Sequence, residues 1–275
     1  MTEHLNEAGE PWLLTSVADG VACATLNRPE ARNALALELR EELKAFLVSL
    51  RDRSDVRVVL IQAAGPSFIA GGDIKAFGRG LEMKPEDRAA DMKGRAAGVG
   101  KLGEIIQTLP QPVIVAARGF AVGVGASVVF AADLAMVSEN IKVGLTHVNL
   151  GISPDGAGTF FLPRLVGMKR AAQIALLGEM MSADELLGMG LVNWVVPDGE
   201  LEDRAMALAR RLADGAPVAQ QEIKRLLRGA FARDIDAQIA AEAESMGRTA
   251  LTEDYAEGLR AILDRRPPRF GQQGN

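Results

Sequence analysis

Between Gly119 and Gly158 the chain twice interrupts apolar sequence with a cluster of glycines. The first is Gly119-Phe120-Ala121-Val122-Gly123-Val124-Gly125-Ala126-Ser127 and the second is Gly151-Ile152-Ser153-Pro154-Asp155-Gly156-Ala157-Gly158. A segment punctuated in this way cannot continue as one long helix or strand and must turn sharply. The first cluster reads as a turn that delivers a helix N-terminus, where unpaired backbone N–H groups favour negative charge. The second sets one acid, Asp155, in a turn just before another helix. Between them lie a short apolar run and a loop carrying His147. Donors for a developing oxyanion together with one nearby carboxylate suffice for proton-transfer chemistry.

The remaining pattern is strand–helix alternation followed by helices alone, which predicts an α/β core with an all-helical C-terminal part. Trp12 to Thr25 alternates around Asp19-Gly20 as a β-hairpin. A helix is expected to start at or near Asn33, with Leu35, Leu39, Leu43, Phe46, Leu47 and Leu50 on one face. Val56 to Gln62 reads as a strand that feeds a second glycine loop, Ala70-Gly71-Gly72-Asp73-Ile74-Lys75, where ligand-contacting loops belong. Phe77 to Gly100 is charged and weakly patterned and reads as a mobile loop and the start of a helix that ends before Pro110. Val113 to Ala117 reads as a buried strand, Ser182 as a helix N-cap, and Leu201 onward as helices. The division expected is a core over 1–199 and a helical region over 200–275.

With 48% hydrophobic and 24% charged residues the chain reads as globular, and a net charge of −5 without a basic stripe argues against a nucleic-acid role. The N-terminus shows no targeting pattern and no apolar run is long enough to span a bilayer, so a cytoplasmic location is expected. The single Cys23 reads as a reduced core thiol, and two histidines give no metal-ligand cluster. Neither a metal nor a redox cofactor is expected.

Asn27-Arg28-Pro29 before an amphipathic helix, the Ala70 to Lys75 loop, Gly123-Val124-Gly125-Ala126 and the Gly151 to Arg164 segment together resemble the crotonase (enoyl-CoA hydratase/isomerase) superfamily. The match runs in order over nearly the whole chain. Gly151 to Asp155, Leu162 to Gly167 and Met189-Gly190-Leu191-Val192 are most similar to its ring-epoxide (1,2-epoxyphenylacetyl-CoA) isomerase branch. The resemblance implies a spiral of ββα turns capped by C-terminal trimerisation helices, a homotrimer or dimer of trimers, and an acyl-CoA thioester as substrate, with coenzyme A belonging to the substrate. It implies that the Gly72 and Val124 N–H groups hold the thioester oxygen. It further implies that Ala70, Asp73, Ile74 and Lys75 line the adenine and phosphate path, that Arg28 covers the CoA, and that Phe270 reaches a neighbour's site. Gly123, Ser127 and His147 complete the substrate-binding set.

Chemistry gives these positions independent sense. Each preorganised donor in such a hole is worth about 3–4 kcal/mol to the transition state, and a placed carboxylate adds about 10²–10⁴-fold as general base. The sequence departs from the family's hydratases, whose two water-holding glutamates fall at Ser127 and His147, so two-glutamate hydration is disfavoured. Asp155 stands where the family's isomerases place a single proton-shuttling acid; a dehalogenase branch uses an aspartate there as nucleophile. Simpler roles remain open: Asp155 as a helix cap, Ser127 and His147 as structural residues, Arg28, Asp73 and Lys75 as solvated charges. The expected activity is acyl-CoA isomerisation by Asp155, with hydration, thioester hydrolysis, dehalogenation and non-catalytic CoA-ester binding as alternatives.

Overall fold

The computed structural model describes residues 4–271. Strands β1 (Leu13–Ala18) and β2 (Val21–Leu26) form the antiparallel hairpin expected around Asp19 and Gly20, both of which have positive φ. Helix α1 (Leu37–Ser49) and strand β3 (Val58–Ala63) follow, then α2 (Ile74–Arg79), α3 (Pro85–Thr108), β4 (Val113–Ala117), β5 (Phe120–Val122) and α4 (Val124–Ala131). The core continues with β6 (Leu134–Ser138), β7 (Lys142–Gly144), α5 (Gly158–Leu177), β8 (Met181–Ser182), α6 (Ala183–Gly188) and β9 (Trp194–Val196). The chain then runs through α7 (Leu201–Ala213), α8 (Pro217–Gly229), α9 (Ile235–Ala250) and α10 (Glu253–Leu263).

Six strands form one sheet in the order β1-β2-β3-β4-β6-β9, parallel from β2 onward, and β5, β7 and β8 form a second, smaller sheet. Side chains alternate between faces along a strand. Ala22, Ala24 and Leu26 of β2, Val59 and Ile61 of β3, and Val113 and Val115 of β4 therefore join one core, which also takes Leu39, Leu43 and Leu47 of α1. Val21, Cys23, Val58, Leu60, Ile114 and Ala116 join a second core on the opposite face. Helix α7 covers that second face with Leu201, Ala205, Ala209 and Ala213, a four-residue spacing of mostly small side chains that lets it lie close to the strands. Strands buried on both faces explain the unbroken apolar runs in the sequence. Each fully buried leucine of α1 contributes about 1.5–3 kcal/mol.

Two expectations are corrected. The helix after the first turn begins at Leu37, because Asn33 has φ +53 and its buried amide clamps two loops: Nδ2 donates to Ala64 O (2.9 Å) and Ser67 O (2.8 Å), and Oδ1 accepts from Arg28 N–H (2.7 Å). Leu35 is then free to donate its N–H to Gly71 O at 2.9 Å, tying this turn to the glycine loop. The Phe77 to Gly100 stretch holds no long loop. It carries the end of α2 and most of the 24-residue α3, started by Pro85 with Glu86 and Asp87 in the first turn. Its charges face solvent, and Val99, Leu102 and Ile106 bury the other side. The helix expected just after the Asp155 turn is α5, which begins at Gly158 and is broken at Gly167.

Among the described residues no helix is long and apolar enough to cross a membrane.

Candidate active site

The two glycine loops, far apart in sequence, are laced together by main-chain bonds. Phe68 N–H donates to Arg118 O (3.0 Å), Ile69 N–H to Phe120 O (3.0 Å), and Val122 N–H back to Ile69 O (2.8 Å). Gly123 N–H donates to Gly144 O at 2.9 Å, which brings the β7 segment alongside. Such close backbone approach demands missing side chains: a Cβ on Gly125 would lie 2.4 Å from Ile69 O. Val124 is the first residue of α4, preceded by Gly123 at φ +57, ψ −114. Among the described residues, neither the Gly72 nor the Val124 N–H donates to a protein acceptor, and both residues line one cleft of about 730 Å³. Two free backbone donors, one at a helix start, make an anion-favouring corner.

Across this corner the short turn Thr146–Leu150 presents His147, and Asp155 follows in the turn before α5. His147 Nε2 lies 3.1 Å from Asp155 Oδ1, and the ring is 7% exposed. The Asp155 side chain does not cap α5, whose N-cap residue is Ala157 with φ +61. Its carboxylate lines the cleft, while its main-chain oxygen is fixed by Ser127 Oγ–H (3.0 Å) and Gly158 N–H (3.0 Å). Ser127 itself is buried and outside the cleft walls; its hydroxyl is within reach of two main-chain oxygens, Asp155 O and Gly123 O. It supports Asp155 from behind.

The other expected residues divide. Gly72, Asp73, Ile74, Gly123, Val124, His147 and Asp155 line the cleft; Arg28, Ala70, Lys75 and Ser127 do not. The Asp73 carboxylate caps α2 by accepting from Ala76 N–H (3.2 Å) and lies 3.7 Å from Arg28 Nη1. The Arg28 guanidinium in turn stacks over Trp12, 4.4 Å from the ring centroid. Phe270 packs toward Gly258 of its own chain. Sequence reading missed the far wall, where Phe77, Arg40, Arg79, Lys93 and Arg95 supply an aromatic ring and four cations. Arg40 is almost wholly buried, paired with Glu41 and donating to Arg95 O (3.2 Å). Recognising the stretch after Phe77 as a helix would have put Asp91 and Arg95, an i,i+4 pair, on one face, and both line this wall.

The family model for enoyl-CoA hydratase/isomerase matches residues 16–273. The chain belongs to the enoyl-CoA hydratase/isomerase family. It is 36% identical to a short-chain-enoyl-CoA hydratase of Clostridium acetobutylicum over 90% of this chain and 92% of that one. It is 33% identical to the 1,2-epoxyphenylacetyl-CoA isomerase of Escherichia coli over 94% of this chain and 98% of that one. Among solved structures it is similar to an enoyl-CoA hydratase from Bacillus anthracis, with a TM-score of 0.88, 32% identity, and coverage of 94% and 98%. The crotonase fold expected from the motifs is thus the fold this family member has, and its activity is of the enoyl-CoA hydratase/isomerase type.

Proposed function

We propose that this family member is an acyl-CoA isomerase that moves a double bond with one carboxylate. The thioester oxygen accepts from the Gly72 and Val124 N–H groups. The Asp155 carboxylate removes a proton from the carbon next to the carbonyl of a 3-enoyl thioester, and the electrons flow into a dienolate held at its oxygen by the two donors. The same proton is then delivered to the carbon at the far end of the dienolate, giving the conjugated 2-enoyl ester with no atom gained or lost. Donors preorganised for the dienolate oxygen act where charge develops, which is the condition for lowering the barrier. Arg79 and Lys93 on the far wall, for which no carboxylate partner is found among the described residues, suit the phosphates of coenzyme A.

The observation that carries this reading is the contrast between Asp155 and Ser127. Asp155 offers a carboxylate to the cleft, whereas Ser127, where hydratases are expected to keep one of two water-holding glutamates, is buried and turned toward the main chain. A second reading, addition of water to a 2-enoyl ester, has the hydratase names among the relatives in its favour. A paired assay on a 3-enoyl-CoA and on crotonyl-CoA separates the two. Isomerisation raises the conjugated-enoyl absorbance of the first and leaves the second unchanged; a fall with crotonyl-CoA would establish hydration and refute the single-acid route.

The helical end supports self-association as a homotrimer or a dimer of trimers. Ile223, Leu227, Phe231, Ile235, Ile239 and Ile262 expose more than half of their surface on α8 to α10 and the turn between α8 and α9, far more apolar surface than isolated surface residues would give.

A further inference from the structure

His147 has no role in the isomerase reading, yet among the described residues it is the one side chain hydrogen-bonded to the carboxylate that reading depends on. We propose that His147 is a positioning residue, donating from Nε2 to Oδ1 of Asp155 so that Oδ2 alone receives and returns the substrate's proton. The inference rests on the isomerase reading and adds to it a device that keeps the proton on one oxygen.

Three observations point to it. First, Nε2 lies 3.1 Å from Oδ1, while Oδ2 has no protein partner and is not among the buried unpartnered atoms, so it stays reachable from the cleft. Second, His147 Nδ1 is buried without any partner. A buried N–H with nothing to accept it is costlier than a bare lone pair facing carbon, so the proton belongs on Nε2, aimed at the carboxylate. Third, the ring edge lies beside the oxyanion loop: a Cβ placed on Gly123 would come 3.4 Å from Nε2. The residue that orients the acid thus lies within about one methyl group of the residue preceding the Val124 donor. Ser127 fixes the main chain of Asp155 and His147 holds its carboxylate by one oxygen, which leaves the other oxygen free.

The division of labour is specific. With Oδ1 occupied by a donor, a proton taken from the substrate sits on Oδ2, the carboxylate oxygen left without a protein partner in a residue that lines the cleft. Return to a different carbon then needs no rotation of the carboxyl group. The reverse arrangement, His147 as the base and Asp155 as its orienter, uses the same contact but requires the imidazole itself to accept the proton.

Two variants and one spectrum decide between them. In His147→Gln the amide N–H reaches about where Nε2 lies and keeps the donor but cannot act as a base; His147→Leu keeps bulk and loses the donor. On a 3-enoyl-CoA, H147L is expected to lose about 10²-fold in kcat with KM little changed, the signature of a misplaced reacting group, and H147Q to recover most of that loss. If H147Q is as inactive as H147L, the imidazole is the base and the proposal is overturned. Independently of turnover, a ¹⁵N spectrum of the free protein reads the tautomer, and only two histidines contribute. The expected result is a proton on Nε2 of His147 and a signal shifted by Asp155→Ala; a proton on Nδ1 overturns the proposal whatever the activity. If the wild type turns over no enoyl-CoA while the Nε2 proton is in place, it is the isomerase reading that fails, and the shuttle role falls with it.

Discussion

Two acid–base pairs, Asp133–Lys224 and Asp155–His147, belong to the same fold and are finished to different degrees. Lys224 is buried and uses all three of its N–H donors, on Asp133 Oδ2 (2.6 Å), Ile106 O (3.0 Å) and Gln111 O (3.0 Å). The same Asp133 oxygen also accepts from Val113 N–H at 2.7 Å. Burial pushes the Asp133 carboxyl up and the Lys224 ammonium down from their ordinary ranges, and each is held against that pressure by the other. Each pair leaves one carboxylate oxygen without a protein partner among the described residues, but the bases differ: Lys224 has every donor met, whereas His147 keeps a buried ring nitrogen unmet. A buried cation with every donor met marks a structural joint, here the one that seats α8 on the core. An unmet valence facing a cleft marks a place where a substrate completes the bonding.

That contrast predicts different failures. Lys224→Met leaves Asp133 partly buried and unpaired, and unfolding by denaturant is expected to show a loss of about 3–5 kcal/mol. The folded fraction should keep its turnover; a stable K224M protein would show that the joint is dispensable. Gly123→Ala puts a Cβ at φ +57 and against the His147 ring, so a loss of about 1–3 kcal/mol from backbone strain is expected together with reduced kcat. Full activity in G123A would separate the oxyanion loop from the acid. Ser127→Ala removes one hydroxyl donor from behind Asp155, and calorimetry is expected to show about 1 kcal/mol of lost stability with kcat lowered less than in H147L.

The smallest effect is confined to acid pH. The Arg248 and Arg225 guanidiniums hold Glu222 at about 2, below its ordinary 4.5, across the α8–α9 contact. A carboxylate lowered in the folded state adds stability that is complete above pH 4.5 and is lost as pH falls toward 2. Glu222→Gln should therefore flatten the pH dependence of stability within that window and leave the shape above it unchanged. An unchanged slope below pH 4.5 would place the acid sensitivity elsewhere.

The sequence and the structure agree best where chain geometry leaves little choice. The hairpin at Asp19-Gly20, the two-faced strands and the glycine loops are all local patterns, and all were legible. The start of α1 was not, because Asn33 is committed to loops more than thirty residues away, a tertiary contact that overrides the helical spacing of the leucines after it. Helix α3 was hidden by charges that solvate its outer face. At the site, Asp155 and the two donor loops could be named from motifs. The burial of Ser127 behind Asp155 and the contact between His147 and Asp155 could not, since both join side chains from separate turns. The cationic wall escaped for the same reason as α3.

Asp155→Asn is the most direct test of a single proton-carrying acid. Asparagine keeps an oxygen for the His147 N–H and the same shape, but it cannot take the proton. On a 3-enoyl-CoA, kcat is expected to fall by about 10²–10⁴-fold while the KM for the ester changes little and the melting temperature holds. A D155N protein with near-wild-type kcat would remove Asp155 from the chemistry and leave the cleft a binding site whose catalyst lies elsewhere.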